Sequence, residues 1–185
     1  SETFQQRNTN SGILESLERV KEIQNLCGLH NKKLLVYISM AFGNPYGDPW
    51  HPEIAIEWCK KLGELGIEHL ALADTVGSSS TENIDILFRA LLPELKGITL
   101  GAHLHSTPDK CIEKISAAYS AGCRHFDVAI HGFGGCPMAK DELTGNVATE
   151  KLEEFATRAK IDLGLRTDEL NKAYELSWKV FNTFH

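Results

Sequence analysis

The chain has 185 residues, of which 42% are hydrophobic and 24% charged, and its formal net charge is -6 at neutral pH. This length allows one domain with a buried core, and the composition is that of a globular protein. The negative charge and the lack of a concentrated basic patch argue against nucleic-acid binding. No apolar run approaches the roughly 20 residues that span a membrane. No secretory leader is recognisable, so we expect a cytoplasmic protein without membrane partners.

Four apolar runs alternate with amphipathic segments along the chain. Near-continuous apolar runs of this length are typical of parallel strands that are covered on both faces. The runs start about 30 residues apart, which is the size of one βα unit. The predicted strands are Leu34–Ala41, His69–Ala73, Ile98–His103 and His125–Ile130.

Helix-start signals stand at several of the intervening segments. We expect Ser11 to cap the first helix and Ser79 with Glu82 to form a capping box on the third. Thr107-Pro108 is expected to open the fourth, because proline is favoured at the first helical position. Two further helices are predicted over residues 149–160 and 167–183.

The number of βα units predicts half of a barrel. Polar residues follow each strand, as in TIM barrels, but a complete (β/α)8 barrel needs eight units and typically about 250 residues. We therefore predict that residues 1–185 are a single partial domain, the C-terminal half of a TIM barrel with four βα units and terminal helices. Its open strand edges would be exposed, which favours a homodimer in which two copies pair along these edges.

The stretch His103-Leu104-His105 ends the third predicted strand. Residues two apart in a strand point to the same side, so both imidazoles are expected on one face at its carboxyl end. Two neutral imidazoles in this arrangement can bind one divalent metal. The alternative is a pair of surface or hydrogen-bonded histidines.

A glycine-rich segment with one cysteine follows the fourth strand. Gly134 and Gly135 precede Cys136 and permit unusual backbone angles close to a ligand. A thiol placed there could transfer a proton or act as a nucleophile, although an incidental thiol in a loop is the alternative. The other cysteines show no C-x-x-C pair and are predicted to be small buried residues; they are Cys27, Cys59, Cys111 and Cys123.

Three more polar residues are candidates for the site. Asn146 could ligate a hard metal or simply act as a turn residue, and Glu150 lies where it could stabilise a helix N-terminus. Asp74 ends the second strand, where it could orient a histidine or a substrate hydroxyl. A structural hydrogen bond from Asp74 to the following loop is the alternative.

Taken together, these segments resemble the 3-hydroxy-3-methylglutaryl-CoA (HMG-CoA) lyases, a branch of the metal-dependent lyase barrels. The combination of G-x-G-G-C-P with G-N-x-A-T-E is the most specific part of the resemblance. The matching segments are Ala41-Phe42-Gly43-Asn44-Pro45-Tyr46, Ala73-Asp74-Thr75-Val76-Gly77, His103-Leu104-His105, Gly132-Phe133-Gly134-Gly135-Cys136-Pro137 and Gly145-Asn146-Val147-Ala148-Thr149-Glu150.

The resemblance implies a divalent-metal-dependent enzyme that cleaves HMG-CoA, an acyl-CoA, to acetyl-CoA and acetoacetate. It implies Mg²⁺ or Mn²⁺ rather than Zn²⁺, bound by His103, His105 and Asn146. Cys136 would be the active-site thiol on the loop that contains Gly134 and Gly135. His103 would also act as the base, and Asp74 and Glu150 would support the site.

The chain departs from the family in two respects. The family uses an Arg-Asp pair after its first barrel strand, and this sequence contains no R-D dipeptide. Ser106 stands where relatives commonly carry Asp or Asn. We therefore expect no lyase activity from the 185 residues alone.

Two alternatives to the lyase remain open. Homocitrate or isopropylmalate synthases are acyl-CoA condensing enzymes that share the H-x-H strand, but the cysteine and the absence of a Glu-Arg loop motif favour the lyase. A non-catalytic half-barrel fragment is the other alternative.

Overall fold

The structure is a computed structural model that describes residues 1–134 and 144–182. The helices are α1 Glu2–Thr9, α2 Ile13–Leu29, α3 Pro52–Glu64, α4 Thr81–Leu91, α5 Cys111–Ser120, α6 Thr149–Ala159 and α7 Thr167–Phe181. The strands are β1 Leu35–Ile38, β2 His69–Ala73, β3 Thr99–His103, β4 His105–Ser106, β5 His125–Asp127 and β6 Gly145–Asn146. One turn of 3-10 helix covers Ile130–Gly132.

Four strands form a parallel sheet in the order β1-β2-β3-β5. The register pairs Ala73 with His103 and His103 with Asp127, so the strands end together along one edge. The short strands β4 and β6 form a separate antiparallel ribbon above this edge. The parallel α/β architecture that the sequence predicted is thereby confirmed.

One apolar core lies where helices α3, α4 and α5 pack on the sheet. Helix α4 shows why: Ile84, Leu87, Phe88 and Leu91 recur at helical spacing, and all four are completely buried. The opposite face of the sheet is less covered at its edge strand. Tyr37 on β1 is 43% exposed.

The capping predictions for two helices are wrong. Helix α2 has Gly12 at its N-cap, while the Ser11 hydroxyl bonds to Ser16 instead. Helix α4 has its capping box one residue later than predicted, between Ser80 and Asn83. The Ser79 hydroxyl cannot cap this helix because it donates to the carboxylate of Asp74, which follows strand β2.

Several element boundaries also differ from the prediction, most of them by one or two residues. Strand β1 ends at Ile38 and strand β5 at Asp127, each three residues before the predicted end. Helix α5 starts at Cys111, because residues 107–110 form a turn that closes with Lys110 N–H donating to the Thr107 carbonyl. Within residues 1–134 and 144–182, no helix is long and apolar enough to cross a membrane.

Three of the four cysteines that the structure describes are buried as predicted, and Cys27 is the exception. Cys59, Cys111 and Cys123 are buried, and Cys27 is half-buried. Burial raises the pKa of Cys59 to about 12 and that of Cys123 to about 11, so both thiols stay protonated at neutral pH. These two side chains serve as small apolar core residues.

Candidate active site

His103 and His105 lie side by side at the carboxyl end of β3. Strand β3 ends at His103, and the buried Leu104 separates it from β4, which starts at His105. The two imidazole rings meet edge to face with their centroids 5.1 Å apart. The rings are adjacent as the sequence predicted, although they stand on two strands rather than on one.

His105 is held by the strand next to it. Its Nδ1 lies 2.9 Å from the main-chain oxygen of Asp74. A carbonyl oxygen only accepts, so Nδ1 carries the proton and the Nε2 lone pair remains for a ligand. The pKa of His105 is lowered, mainly by burial. A lower pKa favours the neutral ring, which is the form that binds a metal.

His103 is more exposed and belongs to a second polar cluster. Its Nδ1 lies 3.3 Å from Oδ2 of Asp127, and the Tyr37 hydroxyl donates to the same oxygen at 2.8 Å. The Tyr37 ring also packs edge to face against His103. Desolvation and this hydrogen bond raise the pKa of Tyr37 to about 12, so the phenol can act as a donor but not as a base near neutral pH.

Asn146, on strand β6, lies beside His105. It pairs with His105 in the β4–β6 ribbon. Its side-chain Nδ2 donates to the Phe133 carbonyl at 2.9 Å, and its main-chain N–H donates to the Gly134 carbonyl at 3.0 Å. The amide Oδ1 is then the atom that can act as a ligand.

Asp74 contacts this cluster through its main chain and not through its carboxylate. The carboxylate is fully buried and accepts from the Ser79 hydroxyl at 2.5 Å and from Lys114 Nζ at 3.0 Å. We expected Asp74 to orient a histidine, and its main-chain carbonyl does so by accepting from the His105 ring. The carboxylate makes the structural bond to the following loop that the sequence left as the alternative.

Glu150 supports the glycine-rich segment rather than the histidine pair. It stands in the first turn of α6 and accepts from the His131 ring and from the His131 main-chain N–H. His131 has a positive φ of 56°, a conformation that costs energy for a residue with a side chain. The carboxylate therefore stabilises the backbone turn that leads to Phe133 and Gly134.

Comparisons with known proteins agree with this arrangement. The sequence model of the HMGL-like family matches residues 1–176. The chain belongs to this family. It is 30% identical to the cytoplasmic 3-hydroxy-3-methylglutaryl-CoA lyase of Danio rerio over 182 residues, which are 98% of this chain and 54% of that relative.

Solved structures lead to the same family. The HMG-CoA lyase of Bacillus subtilis superposes with a TM-score of 0.90 at 28% identity over 98% of this chain and 61% of that one. The HMG-CoA lyase of Acinetobacter baumannii, solved with coenzyme A and 3-methylmalate, gives a TM-score of 0.78 at 26% identity over 88% and 52%. The chain spans about half the length of the curated relatives it matches. Its four parallel βα units therefore correspond to part of the HMG-CoA lyase fold.

The donor atoms of this HMGL-like chain fit a divalent metal. Each of His103, His105 and Asn146 has one N–H group directed at a protein oxygen, which leaves a lone-pair atom on the other end of the side chain. Metal-binding histidines commonly use this arrangement, with the second nitrogen on a carboxylate or a carbonyl. Residues 1–134 and 144–182 contain no cluster of three or more His, Cys, Asp or Glu residues that could bind a metal. A site here would consist of two imidazoles and an amide.

Two predicted residues of the HMGL-like motif, Gly135 and Cys136, lie outside the described residues. Gly134 precedes them and accepts from Asn146. Sequence reasoning missed Tyr37 and Asp127, which line the His103 side of the site. The sequence carried a signal for Asp127, because a carboxylate stands within an apolar strand, and the structure places this residue in register with His103.

Gly132 allows a close approach of two backbone segments beside Asn146. Its φ is +69°, and a Cβ at this position would lie 2.8 Å from the Asn146 carbonyl oxygen. We expect Gly132→Ala to lower the free energy of unfolding by about 1–3 kcal/mol more than Gly164→Ala, because overpacking adds to the cost of positive φ. Gly164 is a matched control, since its φ is +65° and a Cβ there would meet nothing within 4 Å. Equal losses in urea unfolding would contradict the proposed crowding.

Proposed function

We propose that this chain forms part of a divalent-metal-dependent lyase that cleaves HMG-CoA to acetyl-CoA and acetoacetate. The observation that carries the proposal is the convergence of His103, His105 and Asn146, each with its N–H group bound to the protein. Family membership and the coenzyme A complex of the Acinetobacter baumannii relative support an acyl-CoA substrate.

The amide oxygen of Asn146 suits Mg²⁺ or Mn²⁺, and a mixed nitrogen and oxygen shell is consistent with such ions. A divalent ion bound by these residues would supply a Lewis acid that favours the ionised form of the substrate's C3 hydroxyl. The other steps depend on side chains of this protein.

His103 is the candidate base. Asp127 faces its Nδ1 and can stabilise the positive charge that forms when the ring accepts the proton of the C3 hydroxyl. One ring nitrogen cannot bind an ion and accept a proton at the same moment, so the ligand and base roles of His103 belong to different stages. Tyr37 holds Asp127 in place through its hydrogen bond.

Bond cleavage then divides the substrate into two fragments. The electron pair of the C2–C3 bond passes to the thioester fragment, and the C3 fragment leaves as acetoacetate. The Cys136 thiol gives its proton to C2 of the thioester enolate, which releases acetyl-CoA. His103 then releases the proton it accepted to solvent and the thiolate regains one, so both residues return to their starting state and no net proton is consumed.

Activity can be tested in a completed barrel. Residues 1–185 would be joined to the part of the Bacillus subtilis lyase that this chain does not cover, and acetoacetate release from HMG-CoA would be measured with Mn²⁺ and with EDTA. We expect metal-dependent release. A folded chimera that releases none, or that instead condenses acetyl-CoA with a keto acid, would contradict the proposal in favour of a non-catalytic fragment or a synthase.

The role of the thiol is tested in the same chimera. We expect Cys136→Ser to lower kcat by about 10²–10⁴-fold, which is the usual contribution of general acid–base catalysis. Cys27→Ser is the matched control, because Cys27 lies on helix α2 and is only half-buried. Full turnover by Cys136→Ser would exclude a role for this thiol in proton transfer.

Location and assembly remain proposals of the same kind. We propose a cytoplasmic location because the Danio rerio relative is the cytoplasmic form. Pairing of two copies into a homodimer stays a prediction that rests on the open edges of strands β1 and β5.

A further inference from the structure

Lys114 is a buried lysine on helix α5. Its side chain is 4% exposed, and the Asp74 side chain with which it pairs is completely buried. An ammonium group has three N–H donors, and Lys114 Nζ has three acceptors. These are Oδ2 of Asp74 at 3.0 Å, the Gly77 carbonyl at 3.3 Å and the His105 carbonyl at 2.9 Å.

Stability alone is a poor reason for such a pair. Desolvation of two charges usually offsets their attraction, and apolar residues of similar size often serve a fold equally well. A buried ion pair does, however, fix the geometry of the segments that contribute its acceptors. Here those segments are the end of β2, the following turn and the start of β4.

Both members of the pair hold His105. Lys114 binds the main-chain oxygen of His105, and the main-chain oxygen of Asp74 binds the His105 ring at Nδ1. The ion pair thus fixes the backbone of His105 relative to the group that orients its ring.

We propose that Lys114 is a positioning residue for His105, acting with Asp74 to direct the His105 Nε2 lone pair into the site. This inference rests on the proposed function insofar as that site binds a metal. Lys114 lies outside all the motifs that pointed to the site, and its role in positioning His105 follows from the structure alone.

The electrostatic and positional effects of Lys114 on a bound cation have opposite signs. A nearby positive charge repels a divalent ion, so its removal alone would strengthen metal binding. Loss of positioning would weaken it. Removing the Asp74 carboxylate as well offsets this repulsion, so in a variant that lacks both charges the electrostatic effects nearly cancel and weaker binding reports the loss of positioning.

The test uses the 185-residue chain and the double variant Asp74→Asn/Lys114→Met. The double variant removes both charges together, so neither is left unpaired in the core, and circular dichroism checks that it folds. Lys110→Met is the control, because Lys110 lies at the N-cap of the same helix and is exposed. Mn²⁺ affinity is measured by calorimetry, and the His105 Nδ1–H signal is measured by ¹⁵N NMR without metal.

We expect the double variant to bind Mn²⁺ about 10–100-fold more weakly than the unsubstituted chain, which is the usual effect of losing an outer partner of a metal ligand. Its Nδ1–H signal should broaden or disappear, whereas Lys110→Met should keep the signal and bind Mn²⁺ as well or better. An unchanged signal with unchanged or tighter Mn²⁺ binding in the double variant would overturn the proposal. If the unsubstituted chain binds no Mn²⁺, the metal site of the proposed function fails. The Nδ1–H comparison then still decides whether Lys114 positions His105.

Discussion

His105→Ala is expected to weaken Mn²⁺ binding by more than about 100-fold, beyond the 10–100-fold that an outer partner usually contributes. The reason is that His105 combines the two properties of a good ligand. Its Nδ1–H is fixed on the Asp74 carbonyl, and burial favours its neutral form. Calorimetric titration of the purified chain measures the change.

His30→Ala is the control for this experiment. His30 is exposed at the C-cap of α2, which leads into the amino end of β1, whereas His105 follows the carboxyl end of β3. It should leave both Mn²⁺ affinity and stability nearly unchanged. Comparable Mn²⁺ affinity in His105→Ala and His30→Ala would mean that the ion binds elsewhere.

Asp74→Ala is expected to lower the free energy of unfolding by about 3–5 kcal/mol, because it leaves the Lys114 ammonium buried without a counter-charge. This is a large part of the 5–15 kcal/mol that stabilises a typical domain. The expected loss includes the bonds from Ser79, whose main-chain N–H and hydroxyl both donate to this carboxylate. Urea unfolding followed by circular dichroism measures the effect.

Asp85→Ala provides the surface counterpart. Asp85 pairs with Arg89 one helical turn away, and both side chains are solvent-accessible, so its loss should cost at most about 1 kcal/mol. Similar losses for the two variants would show that solvent reaches the Asp74–Lys114 pair. Replacement of both partners by Asp74→Leu/Lys114→Met should recover most of the stability that Asp74→Ala loses.

The histidine pair illustrates how far sequence reasoning reached. Alternation along a strand placed His103 and His105 together, and the rings are adjacent. The alternation rule could not show that the chain leaves the sheet at Leu104, because that bend depends on the pairing of β4 with β6 far along the sequence.

Side chains with more than one possible partner were harder to predict. Ser79 is a residue type that favours N-caps and stands three residues before Glu82. Its hydroxyl nevertheless donates to the Asp74 carboxylate, and the N-cap of α4 is Ser80 instead. A local rule cannot weigh a local partner against one that the fold brings from another element.

Lys114 was missed although its position gave a signal. It shares a helical stripe with Cys111, Ile115 and Ala118, which are all buried. Lysine is rarely buried unless it is paired, so a lysine on an apolar stripe indicates a hidden counter-charge. Nothing in the local sequence identifies Asp74, which lies 40 residues away, as that counter-charge.

The bonds between Asn146 and residues 133–134 have a consequence for how many residues the chain can carry between them. Asn146 donates to the carbonyls of Phe133 and Gly134, so the two ends of the intervening segment are tied together at Asn146 itself. Lengthening a loop with fixed ends is inexpensive, at about 0.6 kcal/mol for each doubling of its length. Insertions between these two ties are therefore expected to cost little and to leave Asn146 in place.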